Sequence, residues 1–214
     1  MSHPEPWPLR HLVLRTPRLE LRPDDDAGLL ELVAVAHAGV HPPEEMPFLV
    51  PWTDADPRYM GRGTLQHFWQ QRSAFTPEDW NVHFLVRHEG RVIGVQSLQA
   101  REFGVVREVA TGSWLGLAHQ GHGLGTEMRA AALMLAFDDL GAVCARSGAF
   151  ADNAASLRVS AKLGYTRDGS VTHVRRGEPV EEVRLRLAAA AFVRPPWTLQ
   201  VDGLAGCLGL LGAG

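Results

Sequence analysis

The stretch Trp114-Leu115-Gly116-Leu117-Ala118-His119-Gln120-Gly121-His122-Gly123-Leu124-Gly125-Thr126 places glycine at alternate positions, 121, 123 and 125, between an apolar run and a long amphipathic pattern. Glycine permits positive φ and lets backbone N–H groups approach a ligand closely. A helix starting there adds unpaired N–H donors and the positive end of its dipole. The chemistry implied is anion binding. Dipole attraction contributes about 0.3–1 kcal/mol when exposed and up to ~2 kcal/mol when half-buried, and N–H bonds to one pyrophosphate add to it. A P-loop would need lysine and then Ser or Thr after its last glycine, whereas Thr126-Glu127 follows Gly125. The dinucleotide fingerprint needs G-x-G-x-x-G in a first βαβ unit, which this is not. The plain alternative is a glycine turn with no ligand. Downstream, Ser156 and Ser160 lie i, i+4 on one predicted helix face, with capping as their plain alternative. His119 and His122 form H-x-x-H with no third ligand, so no metal is expected.

These residues need elements to hold them. Leu12, Leu14, Leu19 and Leu21 alternate across 9–22, interrupted by Thr16-Pro17, which reads as a bent or edge strand. Asp24, Asp25 and Asp26 then cap a helix over 26–38 whose apolar side is Leu29, Leu30, Leu32, Val33 and Val35. Residues 39–58 are dense in proline yet hold Met46, Phe48, Leu49, Val50 and Trp52, a loop expected to pack over something. A second helix is predicted over 63–74 with Leu65, Phe68 and Trp69 inward. Val82, Phe84 and Val86, the turn His88-Glu89-Gly90-Arg91, the return Val92 to Leu98 and a strand near 106–116 read as an antiparallel meander. Then follow a helix over 123–139, a strand over 142–150, a helix over 153–163 and strands near 166–176 and 179–187. That order is a mixed α/β (α+β) sheet with helices on its faces. One domain is expected over 1–190, with residues 191–214 a Gly/Leu-rich tail, disordered or ordered on contact.

Composition bounds the function. The 214 residues fit one domain. Net charge is −3, from 21 basic and 24 acidic residues, which argues against a generally basic nucleic-acid binder. No apolar run is long enough to span a membrane. The N-terminus lacks a secretory signal pattern, and Cys144 and Cys207 have no CxxC or metal-ligand neighbour, so a cytoplasmic chain without disulfides is expected.

The chain resembles a known family. Gln120-Gly121-His122-Gly123-Leu124-Gly125 is similar to the Q/R-x-x-G-x-G/A acyl-CoA signature of the GCN5-related N-acetyltransferase (GNAT) superfamily. Asn153 to Ser156 and Lys162-Leu163-Gly164-Tyr165 resemble the N-x-x-S … K-L-G-F/Y element of its ribosomal-protein N-acetyltransferase-like branch, and Thr16-Pro17-Arg18-Leu19 resembles that branch's T-x-R-L start. Coverage is about residues 9–190. The stretches Gly39-Val40-His41-Pro42, Met46-Pro47-Phe48, Pro51-Trp52-Thr53 and Gly112 to Gly116 look closest to a bacterial subgroup with a succinyl-CoA transferase member.

The resemblance implies a GNAT fold: a twisted, mostly antiparallel mixed sheet, helices on both faces, and a V-shaped splay between strands four and five. It implies an N-acyltransferase moving acetyl or succinyl from CoA to a primary amine of a small molecule or peptide by direct attack, with no metal. Trp114, Leu115, Gly116 and Leu117 would bond the pantetheine arm, Gln120, Gly121, His122, Gly123, Leu124, Gly125 and Thr126 the pyrophosphate, and Asn153 and Ser156 would lie beside the arm. Ser156 is the implied proton donor to the leaving thiolate, while the tyrosine of other branches falls at Ser160. A neutral amine is required, and deprotonating a lysine at pH 7 costs ~4.6 kcal/mol against ~1 kcal/mol for an α-amine. The family's glutamate position is Ala110; Glu108, two residues earlier on the same strand face, or a histidine such as His41, or a water chain, is left for that task. Glu108's plain reading is an exposed strand charge. His41, Phe48 and Trp52 would wall the acceptor. A succinyl carboxylate would be met by His41, Thr53, Arg101 or Arg107. A homodimer is expected from the resemblance alone. The alternatives are a CoA-binding regulator without catalysis and an interaction domain without CoA affinity.

Overall fold

The computed structural model describes residue 3 and residues 5–214. In chain order the elements are β1 (Val13–Arg15), β2 (Leu19–Pro23), α1 (Asp26–Ala38), α2 (Pro57–Ser73), β3 (Asp79–His88), β4 (Arg91–Arg101), the one-turn α3 (Phe103–Val106), β5 (Glu108–Leu115), α4 (Leu124–Met134), β6 (Cys144–Phe150), α5 (Ala154–Lys162), β7 (Thr166–Arg175), β8 (Glu178–Ala188) and β9 (Gln200–Asp202). They build one nine-stranded sheet in the order β7-β8-β6-β5-β4-β3-β2-β1-β9. Every neighbouring pair is antiparallel except β5 and β6.

Strand alternation sends successive side chains to opposite faces, and the two faces carry different cores. Leu85, Val92 and Val95 pack with Leu29, Leu32 and Phe68 of α1 and α2. Their neighbours Phe84, Val86 and Ile93 pack on the other side with Leu124, Met128, Ala131 and Leu133. The helices thus cover both faces of the sheet, as expected.

Local chemistry starts the helices where the sequence signals it. Asp25 Oδ1 accepts from Gly28 N at 2.7 Å and caps α1. Asp56 caps α2, with Pro57 at its first position, so this proline begins a helix that the loop reading of 39–58 had excluded. Two helix positions expected inward face out. Leu30 is exposed, and Trp69 lies over the start of α1, its Nε1 donating to Asp26 Oδ1 at 3.0 Å.

Thr16 to Arg18 form the turn of a hairpin between β1 and β2, with Leu14 opposite Leu21, not a bend in one strand. Nor is β1 an edge, because β9 pairs with it. The segment expected as a tail is built into the fold. Cys207 and Leu211 are buried, Leu199, Leu204 and Leu208 pack on the core, and Trp80 Nε1 donates to Leu211 O at 3.1 Å.

Candidate functional site

The β5–β6 pairing is short. Glu108, Val109 and Ala110 lie opposite Cys144, Ala145 and Arg146, and beyond them the strands separate. The expected splay falls here, since the hairpin before α1 adds one strand to the count. Gly112 N donates to Ser97 Oγ at 3.1 Å and Gly116 N to Ile93 O at 2.9 Å, so these groups face β4. Alternation turns the main-chain groups of Ser113 and Leu115 into the gap. Of the expected arm-binding stretch, Leu115 turns its N–H into the gap. The Trp114 and Gly116 main chains face β4, and Leu117 N is taken by Gly39 O at 2.9 Å. Ser113, which sequence reading did not single out, also turns its main chain into the gap.

At the mouth of the gap the glycine turn leads into α4. Gly121 and Gly123 have φ of 79° and 80°, a region that side chains other than glycine rarely adopt. Gly123 occupies the cap position of α4 without a side-chain cap. The amides of Gly121, His122, Gly123, Leu124 and Gly125 find no acceptor among the described residues, whereas Thr126 N is bonded to Gly123 O at 3.1 Å. A Cβ at Gly121 would meet nothing, and one at Gly123 only the Arg18 guanidinium. The turn is therefore an open nest of N–H donors at a helix start.

Two sequence motifs prove to be its scaffolding. Gln120 Nε2 donates to Val40 O at 2.7 Å and Leu115 O at 2.8 Å. Its side chain ties the turn to the strand end and offers no free donor to a phosphate, which corrects its expected role. Buried Glu127 accepts from Thr16 Oγ1 at 2.6 Å, Arg18 N at 3.0 Å and Arg18 Nε at 2.7 Å, while Arg18 Nη1 reaches His122 O at 3.1 Å. The T-x-R-L hairpin thus clamps the first turn of α4 and the nest together.

Helix α5 flanks the gap. Asn153 caps it, Oδ1 accepting from Ser156 N at 3.0 Å. Ser156 is half-buried, and its hydroxyl has no partner among the described residues. Ser160 is buried; it donates to Ser156 O at 3.1 Å and accepts from Arg129 Nη1 at 2.8 Å.

The proline-rich loop forms a wall on the α1–α2 face. His41, Phe48, Trp52 and Trp114 make a chain of rings with successive centroids 5.8, 5.2 and 5.5 Å apart. Both His41 nitrogens are engaged, Nδ1 with Pro42 O at 2.8 Å and Nε2 with Thr53 Oγ1 at 2.7 Å. His41 thus anchors the loop. The turn between β7 and β8 latches it from outside. Arg176 grips Asp54 with bonds of 2.7 and 2.6 Å, and Arg175 Nη1 donates to Met46 O at 2.7 Å.

Glu108 sits at the closed end of the splay, its carboxylate taken by Arg146 at 3.0 Å, which also pairs with Asp168. The Arg146 bond holds the carboxyl below the usual glutamate range. Its carboxylate is thus engaged by Arg146, at the end of the splay away from the glycine turn. Arg101, paired with Asp79, and Arg107, bonded to Leu140 O, lie at the same closed end. The sequence had not singled out Glu182. It lies on β8 opposite Phe150, and its carboxylate covers Gly148, where a Cβ would collide with it. His173 Nε2 holds Glu182 Oε2 at 2.8 Å, and the His173 ring stands edge-on to Phe150. Phe150 also carries the Arg175 guanidinium, 4.6 Å from its ring centre. Glu182 is therefore on the face walled by the loop, where β6 has left β5. The signal was faint: Glu181-Glu182 reads as surface charge, and only the fold brings one of them over a strand glycine.

Among the described residues no cluster of His, Cys, Asp or Glu suits a metal, and no helix is long and apolar enough to cross a membrane.

A family model for the acetyltransferase (GNAT) domain matches residues 12–166. Among solved structures the chain is similar to Mycobacterium smegmatis RimJ in complex with CoA-disulfide, at 17% identity over 97% of this chain and 96% of that one, with a TM-score of 0.71. It is also similar to the ribosomal-protein alpha-N-acetyltransferase RimL in complex with coenzyme A, at 18% identity over 82% and 97%, with a TM-score of 0.64. A third is the microcin C7 self-immunity acetyltransferase MccE in complex with acetyl-CoA and AMP, at 14% identity over 81% and 93%, with a TM-score of 0.62. At these identities the likeness is one of fold.

Proposed function

Because the chain belongs to the GNAT acetyltransferase family, we propose that it is an acyl-CoA-dependent N-acyltransferase that moves an acetyl group to a primary amine by direct attack. The observation that carries this reading is the run of unpaired amides from Gly121 to Gly125 at the open end of the β5–β6 splay. Those amides bind the CoA diphosphate, and the main chain of Ser113 and Leu115 bonds the pantetheine arm. Bound acetyl-CoA supplies an activated thioester. The chain's own task is alignment and proton handling.

The acceptor amine enters between the His41–Phe48–Trp52–Trp114 wall and Phe150. Glu182 takes the amine's proton through the oxygen lying over Gly148, and His173 fixes the other oxygen. The Ser156 hydroxyl, without a partner, hydrogen-bonds the departing sulfur. A succinyl donor has weaker support: Arg101 and Arg107 lie at the closed end of the splay, and His41 and Thr53 are bonded to each other.

Calorimetry with CoA and a thiol-release screen with acetyl-CoA and succinyl-CoA against amines and peptides test the reading. Gly123→Glu places a carboxylate and bulk in the nest and is expected to abolish CoA binding in a folded protein. Normal affinity in that variant defeats the assignment. Ser156→Ala is expected to lower turnover several-fold with unchanged CoA affinity; unchanged turnover removes Ser156 from the reaction.

A further inference from the structure

One register line crosses five strands of the sheet. Asn81 of β3 lies opposite Gln99 of β4, Gln99 opposite Ala110 of β5, Ala110 opposite Arg146 of β6, and Arg146 opposite Arg186 of β8. Side chains on such a line share a face. It is the face under α1 and α2, because Leu85 and Trp114, each an even number of residues along from Asn81 and Ala110, pack there. Ala110 and Arg146 form the last rung before the gap opens. A groove of about 630 Å³ lies over this line, bounded by Gln71 of α2 on one side and Glu108 on the other. Between the longer Gln99 and Arg146, Ala110 contributes only a methyl group, so the floor dips where the gap begins. Neighbouring strands lie about 4.8 Å apart, which puts Asn81 ~10 Å from Ala110. The groove's charges balance. Arg101 is paired with Asp79, and Arg146 with Glu108 and Asp168, while the Arg186 charge also acts on Glu108. What the groove lacks is a donor. Asn81 Nδ2 donates to Gln71 Oε1 at 3.4 Å, but Asn81 Oδ1 is buried with no partner among the described residues. Buried acceptors are normally met, and leaving one unmet is costly.

We propose that this groove holds the body of the acceptor, an uncharged chain whose hydroxyl or amide group, ~10 Å from the reacting amine, donates to Asn81 Oδ1. This rests on the acyltransferase reading above, which puts the amine at the gap beside Glu182. The groove then selects by length and by charge. A polyamine brings a second ammonium to carboxylates already held by arginines. An amino acid of the same length brings a carboxylate to arginines already held by carboxylates. Both lose hydration without gaining a free counter-charge. A hydroxyl or an amide loses less hydration and gains the Asn81 bond. Asn81 and Ala110 are thus specificity-determining residues, Asn81 by contact and Ala110 by leaving room.

The test is a set of primary amines offered to the intact protein with acetyl-CoA and read by thiol release. The long members carry a chain of about eight carbons, spanning ~10 Å, and end in a hydroxyl, a primary amide, an ammonium or a carboxylate. The short member is ethylamine. In the wild type the hydroxyl-ended or the amide-ended amine is expected to exceed both charged ones at least about tenfold in kcat/KM, and the better of the two tells hydroxyl from amide. Asn81→Leu is expected to shrink that preference to about twofold or less. Ala110→Leu is expected to raise the KM of the long acceptors about tenfold relative to that of ethylamine. Should the Asn81 variant fail to fold, the half-buried Ala110 position still gives the length reading. Equal kcat/KM for charged and uncharged ends, a preference for a charged end, or variants that slow long and short acceptors alike overturn this proposal and leave the acyltransferase reading standing. Absence of thiol release with every amine of the wider screen overturns that reading and this proposal with it.

Discussion

Two carboxylates show how placement decides chemistry. Glu108 and Glu182 are the same residue type on neighbouring parts of one sheet, yet Arg146 holds the first as an ion-paired anion while His173 orients the second over a glycine. Glu182→Gln is expected to lower kcat about 100-fold, with CoA affinity unchanged. Glu108→Gln is expected to keep kcat within about twofold of wild type. Thiol-release rates separate the two. Buried titratable groups also set stability. His83, 7% exposed with Nε2 unpartnered, is pushed down to about 4, first by burial and then by His67. A base with a lowered value favours the folded state fully above its unfolded value near 6.5 and loses that contribution as pH falls toward 4, about 3 kcal/mol in all. Asp24 opposes it. Burial pushes its carboxyl up to about 6. Arg72 Nε lies 2.9 Å from Asp24 Oδ2 without aiming its N–H there, so the two attract without a hydrogen bond. Protonation of Asp24 favours folding, a gain lost as pH rises through about 6. In wild type the two slopes offset between pH 4 and 6. His83→Gln is expected to remove one of them, so that its melting temperature relative to wild type rises as pH drops from 6.5 to 4. A pH-independent difference defeats the account.

At the scale of elements, what was legible in the sequence was what local chemistry writes. The cap among Asp24 to Asp26, the alternation of β3 and β4, and the glycine turn before α4 all read correctly because each depends on near neighbours. Illegible were the contacts between distant segments. Nothing in Arg175-Arg176-Gly177 says that this turn reaches Met46 and Asp54, and nothing in Gln120 says its amide is consumed by Val40 and Leu115. Trp69 illustrates a third kind of miss, an aromatic side chain whose polar tip is satisfied at the surface by Asp26. The β7–β8 latch makes its own prediction. Arg176 and Asp54 are largely solvent-exposed, so Arg176→Ala is expected to change stability little. It frees the loop that carries Phe48 and Trp52, so the acceptor KM is expected to rise several-fold while the KM for acetyl-CoA holds. Faster proteolytic cutting within residues 43–54 is the structural readout. An acceptor KM unchanged from wild type defeats the latch.

On the scale of the whole molecule, the last twenty-odd residues return to the first strand. Gly/Leu-rich composition reads as a tail because it lacks a sustained period, yet β9 takes the edge of β1 that would otherwise be open, and edge strands need such cover. The return also bears on the site. β1 and β2 carry the hairpin whose Thr16 and Arg18 clamp Glu127 at the start of α4, so the C-terminal segment steadies the sheet edge from which the nest is held. Leu211, 1% exposed, and the Trp80 bond to its carbonyl fasten that segment beside α3, where Phe103 meets Trp80 edge-on with centroids 5.7 Å apart. If this is core, Leu211→Ala costs about 2–5 kcal/mol, which for a chain of this size lowers the melting temperature by roughly 5–15 °C. If it is tail, the substitution does nothing. The two accounts also differ at the nest. With the clamp intact in the folded variant, CoA affinity below the melting transition is expected to match wild type. Removing residues 199–214 strips β9 from β1 and is expected to weaken CoA binding as well as stability, and calorimetry on the two variants distinguishes packing support from support of the anion site.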